Sequence, residues 1–170
     1  MKIIMSVRGL DGVLETLQAL PAEVVSKKGG PVKLALAKAA RVIRAQAVAN
    51  LTATISSTQD SESTGLLAKN VIVTRGKEPH GTKGERYLVR VRRKAYDGDK
   101  LGRRQKAGKR VTTHKTASLK EYGSSHQPAT PWLRPAVQQK GQEAIDVFTA
   151  DLNKRIDATV RKLAQQNKGK

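Results

Sequence analysis

Chemistry in this chain would have to start from a short set of side chains. The three histidines, His80, His114 and His126, lie in loop-like segments. None has a carboxylate or second histidine at ligand spacing, so no metal site is expected. Asp97 and Asp99 flank Gly98 in YDGDK, which falls well short of a calcium loop and reads as a tight turn. Glu121 is a carboxylate with no partner nearby in sequence. Ser124 and Ser125 stand beside His126, but adjacent residues do not by themselves build a nucleophile–base geometry. GTKGE (81–85) lacks the spacing and the strand–helix context of a phosphate loop. The expectation is therefore no enzyme and no cofactor.

What the chain has in abundance is positive charge. Its 170 residues carry 33 Lys and Arg against 14 Asp and Glu, a net charge of +19. Such an excess works against a compact state unless something negative lies close by. Residues 75–120 alone hold 16 Lys and Arg against four Asp and Glu, a net of +12. The partners that fit are nucleic acid, an anionic membrane or acidic protein surfaces. The membrane fits worst, because the basic region has no opposing apolar face. Arg90, Arg92, Arg93, Lys94, Arg103, Arg104, Lys106, Lys109 and Arg110 are dense enough to track a phosphate backbone. There is no recognition-helix pattern and no cysteine finger, and aromatics are too few for stacking platforms. Contact with double-stranded DNA would then be without sequence preference. Acidic protein neighbours, or plain solvation of a flexible loop, explain the same charge.

The elements that must position these residues come from periodicity. KIIMSV (2–7) reads as a strand, and Val13, Leu14, Leu17 and Leu20 as a helix capped by Asp11 and stopped by Pro21. Gly29-Gly30-Pro31 is a break, after which Val32, Leu36, Ala39, Ala40, Ile43, Ala47 and Leu51 form one slim apolar stripe. Residues 52–64 read as a polar loop, 70–75 and 86–95 as two strands, and 96–118 as a segment without period. Residues 119–123 suggest a short last strand. From Pro131, Leu133, Val137, Ala144, Phe148, Leu152, Ile156, Val160 and Leu163 predict a helix of about thirty residues, roughly 45 Å long. No run approaches a membrane span, and the N-terminal apolar run is too short for a signal peptide, so a soluble protein is expected.

KEYGSSHQPATPWLRPAV (120–137) concentrates rare residues, the only Trp and three of the six Pro among them. Two readings stand side by side. In one the stretch starts a helix: Thr130 caps it, Pro131 takes its first position, and Trp132 and Leu133 anchor it. In the other it is a docking strip presenting Tyr122, His126 and Trp132. They are compatible if Trp132 turns inward while 123–130 faces a partner.

Several motifs now line up in order. Gly9-Leu10, Leu14 and Leu17 come first, then Thr64, Gly65 and Leu67, then Glu121-Tyr122-Gly123-Ser124, then Pro128 with Pro131–Ala136. This order resembles the tailed-phage tail-completion or head–tail joining (neck) proteins, including minor tail protein Z-like members. The last motif is the most specific, and the likeness spans the chain apart from residues 76–117. The resemblance implies a non-catalytic virion protein, made in the host cytoplasm, that forms a ring at the head–tail junction, with sixfold symmetry like the tail tube. Its partners would be further copies of itself and other neck and tail proteins, and the genome end would pass through its channel. Tyr122, Pro131, Trp132, Leu133 and Pro135 would anchor the last helix near a subunit contact. The chain departs from the pattern at Gly29-Gly30-Pro31 and in its long basic insertion, 76–118. A tail terminator is a neighbouring reading, and a free architectural nucleic-acid-binding protein one from another class. The expected fold is a single α+β domain over 1–170, with a mostly antiparallel sheet of about four strands, N-terminal helices, a long C-terminal helix and a projecting basic loop or hairpin.

Overall fold

Pro31 cannot continue a preceding helix but suits the first turn of a new one, and helix α1 (Pro31–Ser56) begins there. The computed structural model describes residues 30–56, 63–77, 85–96 and 111–168, the last seven of these by their helical path alone. The expected strand at 2–7 and helix at 11–20 lie outside these residues. After α1 come a single turn, α2 (Leu66–Lys69), strands β1 (Val71–Arg75) and β2 (Tyr87–Val91), α3 (Thr113–Tyr122) and α4 (Leu133–Lys168). The protein is α+β and mostly helical, and among the described residues its sheet has two antiparallel strands. No described helix is long and apolar enough to cross a membrane.

α1 and α4 run antiparallel. Asn50 meets the start of α4, through the Trp132 carbonyl at 3.2 Å, while Lys38 meets Asp151 at 2.8 Å further along. Their seam carries small residues at close approach. Ala35 and Ala39 of α1 pack against Ala144, Phe148, Leu152 and Ile156 of α4. Ala35, which the expected stripe omits, is fully buried. At the other end of α1, Ala47 and Leu51 join Leu67, Val71, Ala117, Trp132 and Ala136 in a second cluster. α4 has 36 residues, about 54 Å at 1.5 Å per residue.

The sheet lies on the second cluster. Val71 pairs with Val91 and Val73 with Val89, whereas Ile72 pairs with Arg90 and Thr74 with Leu88. Period-2 alternation therefore places Val71, Val89 and Val91 on one face, and these three pack into the core beside α1. Ile72, Thr74, Leu88 and Arg90 occupy the opposite face. The Val71 carbonyl, on the outer side of β1, accepts a 2.6 Å hydrogen bond from Arg44 Nε. Arg75 and Glu85 close the mouth of the hairpin with two hydrogen bonds.

Three expectations need correction. The loop at 52–64 begins later, because α1 continues to Ser56. Ile55 packs on the core, and the hydroxyls of Thr52 and Thr54 donate back to the carbonyls of Val48 and Asn50, a bond that lets Thr sit in a helix. The strand at 119–123 is instead the end of α3. Its face toward the core is Thr113, Ala117 and Glu121, one side of a helix at spacing four. The expected strand at 86–95 is shorter, Tyr87–Val91. Beyond it the chain turns to meet the start of α3. Thr113 Oγ1 donates to the Arg92 carbonyl at 2.6 Å and accepts from the Lys94 amide at 3.0 Å. Ala95 bridges Thr112, and the Tyr96 amide donates to the Val111 carbonyl. Residues 94–96 and 111–113 thus form one antiparallel stem.

The α1–α4 seam makes a direct prediction. Leu152→Ala should cost about 2–5 kcal/mol as a core truncation, and Ala35→Leu about 1–3 kcal/mol through overpacking. Urea unfolding checks both, as lower midpoints with an unchanged slope.

Candidate functional site

The four backbone N–H groups at the start of an α-helix have no carbonyl within the helix to receive them. α4 starts at Leu133, two residues past the expected Pro131, so the four are those of residues 132–135; Pro135 removes one and Glu121 binds the other three. Pro135 has no N–H to satisfy. Ahead of it, the amides of Trp132 and Leu133 both donate to Glu121 Oε2 at 2.9 Å, and the amide of Arg134 donates to Oε1 at 3.1 Å. Arg134 also folds its guanidinium back. Its Nε donates to Glu121 Oε1 at 2.9 Å and its Nη2 to the Glu121 carbonyl at 2.8 Å. One buried carboxylate from the end of α3 therefore caps α4, complements its positive end and pairs with its first cation.

Thr130 does not act as the cap. Its amide donates to the Lys120 carbonyl at 2.8 Å and its hydroxyl reaches the same oxygen only at 3.5 Å, which fastens the loop back onto α3. Glu121 does have a partner, thirteen residues on. Neither periodicity nor a short motif joins two residues that meet across a turn between helices.

The other motif residues also have structural tasks. Trp132 is buried, packs with Ala117 and Ala136, and donates its indole N–H to the Ala117 carbonyl at 3.4 Å. Leu133 and Pro135 are half-buried and Pro131 is exposed. Gly123 has φ 74° and ψ −174°, a region that essentially only glycine occupies. A Cβ there would stand 2.8 Å from the Ala129 amide nitrogen. Ser124 and Gln127 then close a tight turn through reciprocal backbone bonds. Gly65, at φ 65°, precedes α2, where Leu67 is buried.

Of the expected docking strip, Trp132 turns inward while Tyr122 and His126 are exposed. Tyr122 is 68 % exposed, and the Arg134 guanidinium sits 5.1 Å from its ring centroid, a cation–π contact. Within residues 120–137, Trp132 is thus an inward anchor while Tyr122 and His126 lie at the surface. Arg90, Arg92, Arg93 and Lys94 are all exposed, and among the described residues none of them forms an ion pair. Arg103, Arg104, Lys106, Lys109 and Arg110 lie outside the described residues. The structure joins the exposed cations to the α3–α4 joint through a groove of about 650 Å³. Its walls include Ile72, Val89, Arg90, Arg92, Trp132 and Leu133.

A second buried carboxylate was not singled out in the sequence. Asp151 interrupts the apolar face of α4 between Phe148 and Leu152, with Lys38 at 2.8 Å and Arg155 at 2.5 Å. Hydrogen bonds from Lys38 and then Arg155 hold its carboxyl below the usual range, outweighing its burial. For Glu121, burial pushes the pKa up. The amides of Leu133 and Trp132 and both groups of Arg134 outweigh that effect and hold it below its ordinary 4.5.

Because the folded Glu121 carboxyl titrates below the unfolded one, its stabilisation is complete above about pH 4.5 and is lost as pH falls through the lower folded value. Glu121→Ala should cost about 2–4 kcal/mol at neutral pH, the half-exposed Arg134 tempering the figure for a fully buried pair. Glu121→Gln should cost less and flatten the acid limb of stability against pH, leaving the part due to Asp151. Urea unfolding between pH 3 and 7 measures both. Gly123→Ala should cost about 1–3 kcal/mol from backbone conformation alone, read as a lower thermal midpoint. Set against known proteins, the chain matches no family model, no curated sequence and no solved structure.

Proposed function

We propose that this chain is a structural virion protein of the tail-completion or head–tail joining type, which assembles as a ring around the DNA channel and joins tail to head. The α3–α4 joint is the observation that carries this reading. The last two motifs of the resemblance, EYGS and PATPWLRPA, are separate in sequence but form one joint, with the Glu of the first capping the helix opened by the second. Their remaining residues supply a buried anchor, a glycine-only turn and an exposed Tyr122–Arg134 pair. These are tasks of architecture and contact, and they support a role in assembly rather than catalysis. A tail terminator would use the same joint.

The exposed row Arg90, Arg92, Arg93 and Lys94 favours a second reading, in which the chain binds nucleic acid without sequence preference. In a ring these cations, with those of 103–110, would face the genome, and sixfold repetition would multiply a modest affinity per copy. As a free architectural protein, the monomer itself would bind DNA tightly, with affinity falling steeply against salt.

Disrupting this reading frame in the virus that encodes it, and imaging the lysate by electron microscopy, tests the first reading. Filled heads beside unattached or abnormally long tails are the expected outcome. Intact, normally joined particles would remove the virion role and leave the nucleic-acid reading in front.

A further inference from the structure

The hairpin has two outer edges, and only one has a described occupant. The amide of Arg92 donates to the Asn70 carbonyl, and that of Gly76 to the Arg86 carbonyl. With the Ile72–Arg90 and Thr74–Leu88 register between them, the even-numbered residues of β2 bond to β1. Alternation along an antiparallel ladder then turns the N–H and C=O groups of Tyr87, Val89 and Val91 away from β1. On the far side of β1, Arg44 occupies the Val71 carbonyl. Among the described residues no strand pairs with the far side of β2. An unpaired edge is a template for another strand.

This edge borders the groove, whose two sides differ in chemistry. Val89, Val91, Ala117, Trp132 and Leu133 make one side mainly apolar, with Ser118 and the hydrogen-bonded Glu121 of α3 beside Ala117. On the other, Arg90 and Arg92 stand exposed beside Ile72 and Thr74. Thr74 Oγ1 is buried there with no hydrogen-bond partner among the described residues. A strand added along β2 would present successive side chains to these two sides in turn. Its residues beside Val89 and Val91 would meet the apolar wall, and those beside Arg90 and Arg92 would meet cations. Opposite charges in such cross-strand positions attract.

We propose that the outer edge of β2 is a docking site for an extended segment of another protein in which apolar and acidic residues alternate. Main-chain hydrogen bonds to Tyr87, Val89 and Val91 supply the affinity, and the alternation supplies the choice of partner. Nucleic acid fits the groove less well, because a phosphate backbone has no use for its apolar wall. The proposal holds whether or not the chain serves at a head–tail junction.

The test uses the full chain and a capped peptide of sequence Glu-Val-Glu-Val-Glu-Ile-Glu. Trp132 lines the groove and is the only Trp of the chain, so its fluorescence reports occupancy. Saturable binding below about 1 mM is expected, with hydrogen-exchange protection of the Tyr87, Val89 and Val91 amides. A peptide of the same composition with its Glu residues in one block, and one N-methylated at alternate amides, should each bind at least about tenfold more weakly. The double variant R90E/R92E alters two exposed side chains. It should lose the acidic peptide by a similar factor and gain the matching Lys-Val-Lys-Val-Lys-Ile-Lys peptide. Three outcomes would each overturn the proposal. One is equal binding of the block peptide. Another is failure of the charge swap to restore affinity. The third is a short DNA duplex that binds through Arg90 and Arg92 while the alternating peptide leaves Trp132 and the β2 amides unchanged.

Discussion

A helix of 36 residues begins with amides that no carbonyl inside it can accept, and at α4 a single side chain from another helix receives them. Glu121 takes three successive N–H groups, and the fourth position is Pro135, which has none to offer. Burying a carboxylate is costly unless it is paired and hydrogen-bonded. Here the helix end and Arg134 meet that condition together. The arrangement fixes the direction in which α4 leaves α3. It also places Trp132 against Ala117 and Ala136, and so sets where the sheet-side core can form.

The same logic recurs further along α4. Asp151 sits in the apolar seam because Lys38 from α1 and Arg155 from α4 hold it from two sides. The two buried carboxylates thus tie the three longer helices together, Glu121 joining α3 to α4 and Asp151 joining α4 to α1. In a chain with 33 cations and only 14 acids, an acid placed inside the fold offsets local repulsion as well as forming a hydrogen bond. An acid on the surface would be screened by water and salt. Buried ion pairs are weak evidence for net stability, but they specify which helix meets which. In the α1–α4 seam they add to the packing of Phe148, Leu152 and Ile156 against Ala35 and Ala39.

The long elements were legible in the sequence because a single physical rule governs each of them. Helical spacing of Val, Leu, Ile and Ala marked α1 and α4, and alternation marked β1 and β2. The break at Gly29-Gly30-Pro31 marked where α1 starts. The α3 helix was not legible, since its inward face is Thr113, Ala117 and Glu121, two of them polar, and a hydrophobic period cannot register them. The N-cap was misassigned to Thr130 for a related reason. Local rules look for a capping side chain just ahead of the helix, whereas the one used here lies ten or more residues back on another element. Asp151 did leave a signal, as a charge on an otherwise apolar stripe, but its partner Lys38 is 113 residues away. The groove had no signature at all, because its walls come from β1, β2, α3 and the start of α4, and only the fold brings them together.

The stem formed by residues 94–96 and 111–113 is held by main chain and a single hydroxyl. Thr113, fully buried, spends its hydroxyl on two backbone groups of the β2 extension, and its own amide donates to the Lys94 carbonyl at 2.9 Å. These bonds involve main chain and one hydroxyl, so they do not depend on which side chains follow Lys94 or precede Val111. The stem at 94–96 and 111–113 is therefore held independently of side-chain charge. The exposed cations at 90–94 differ in this respect. They flank an apolar wall and a strand edge that no other described strand pairs with. Arg90, Arg92 and Arg93 thus belong to the groove wall, beside the apolar side chains of Val89, Val91, Trp132 and Leu133.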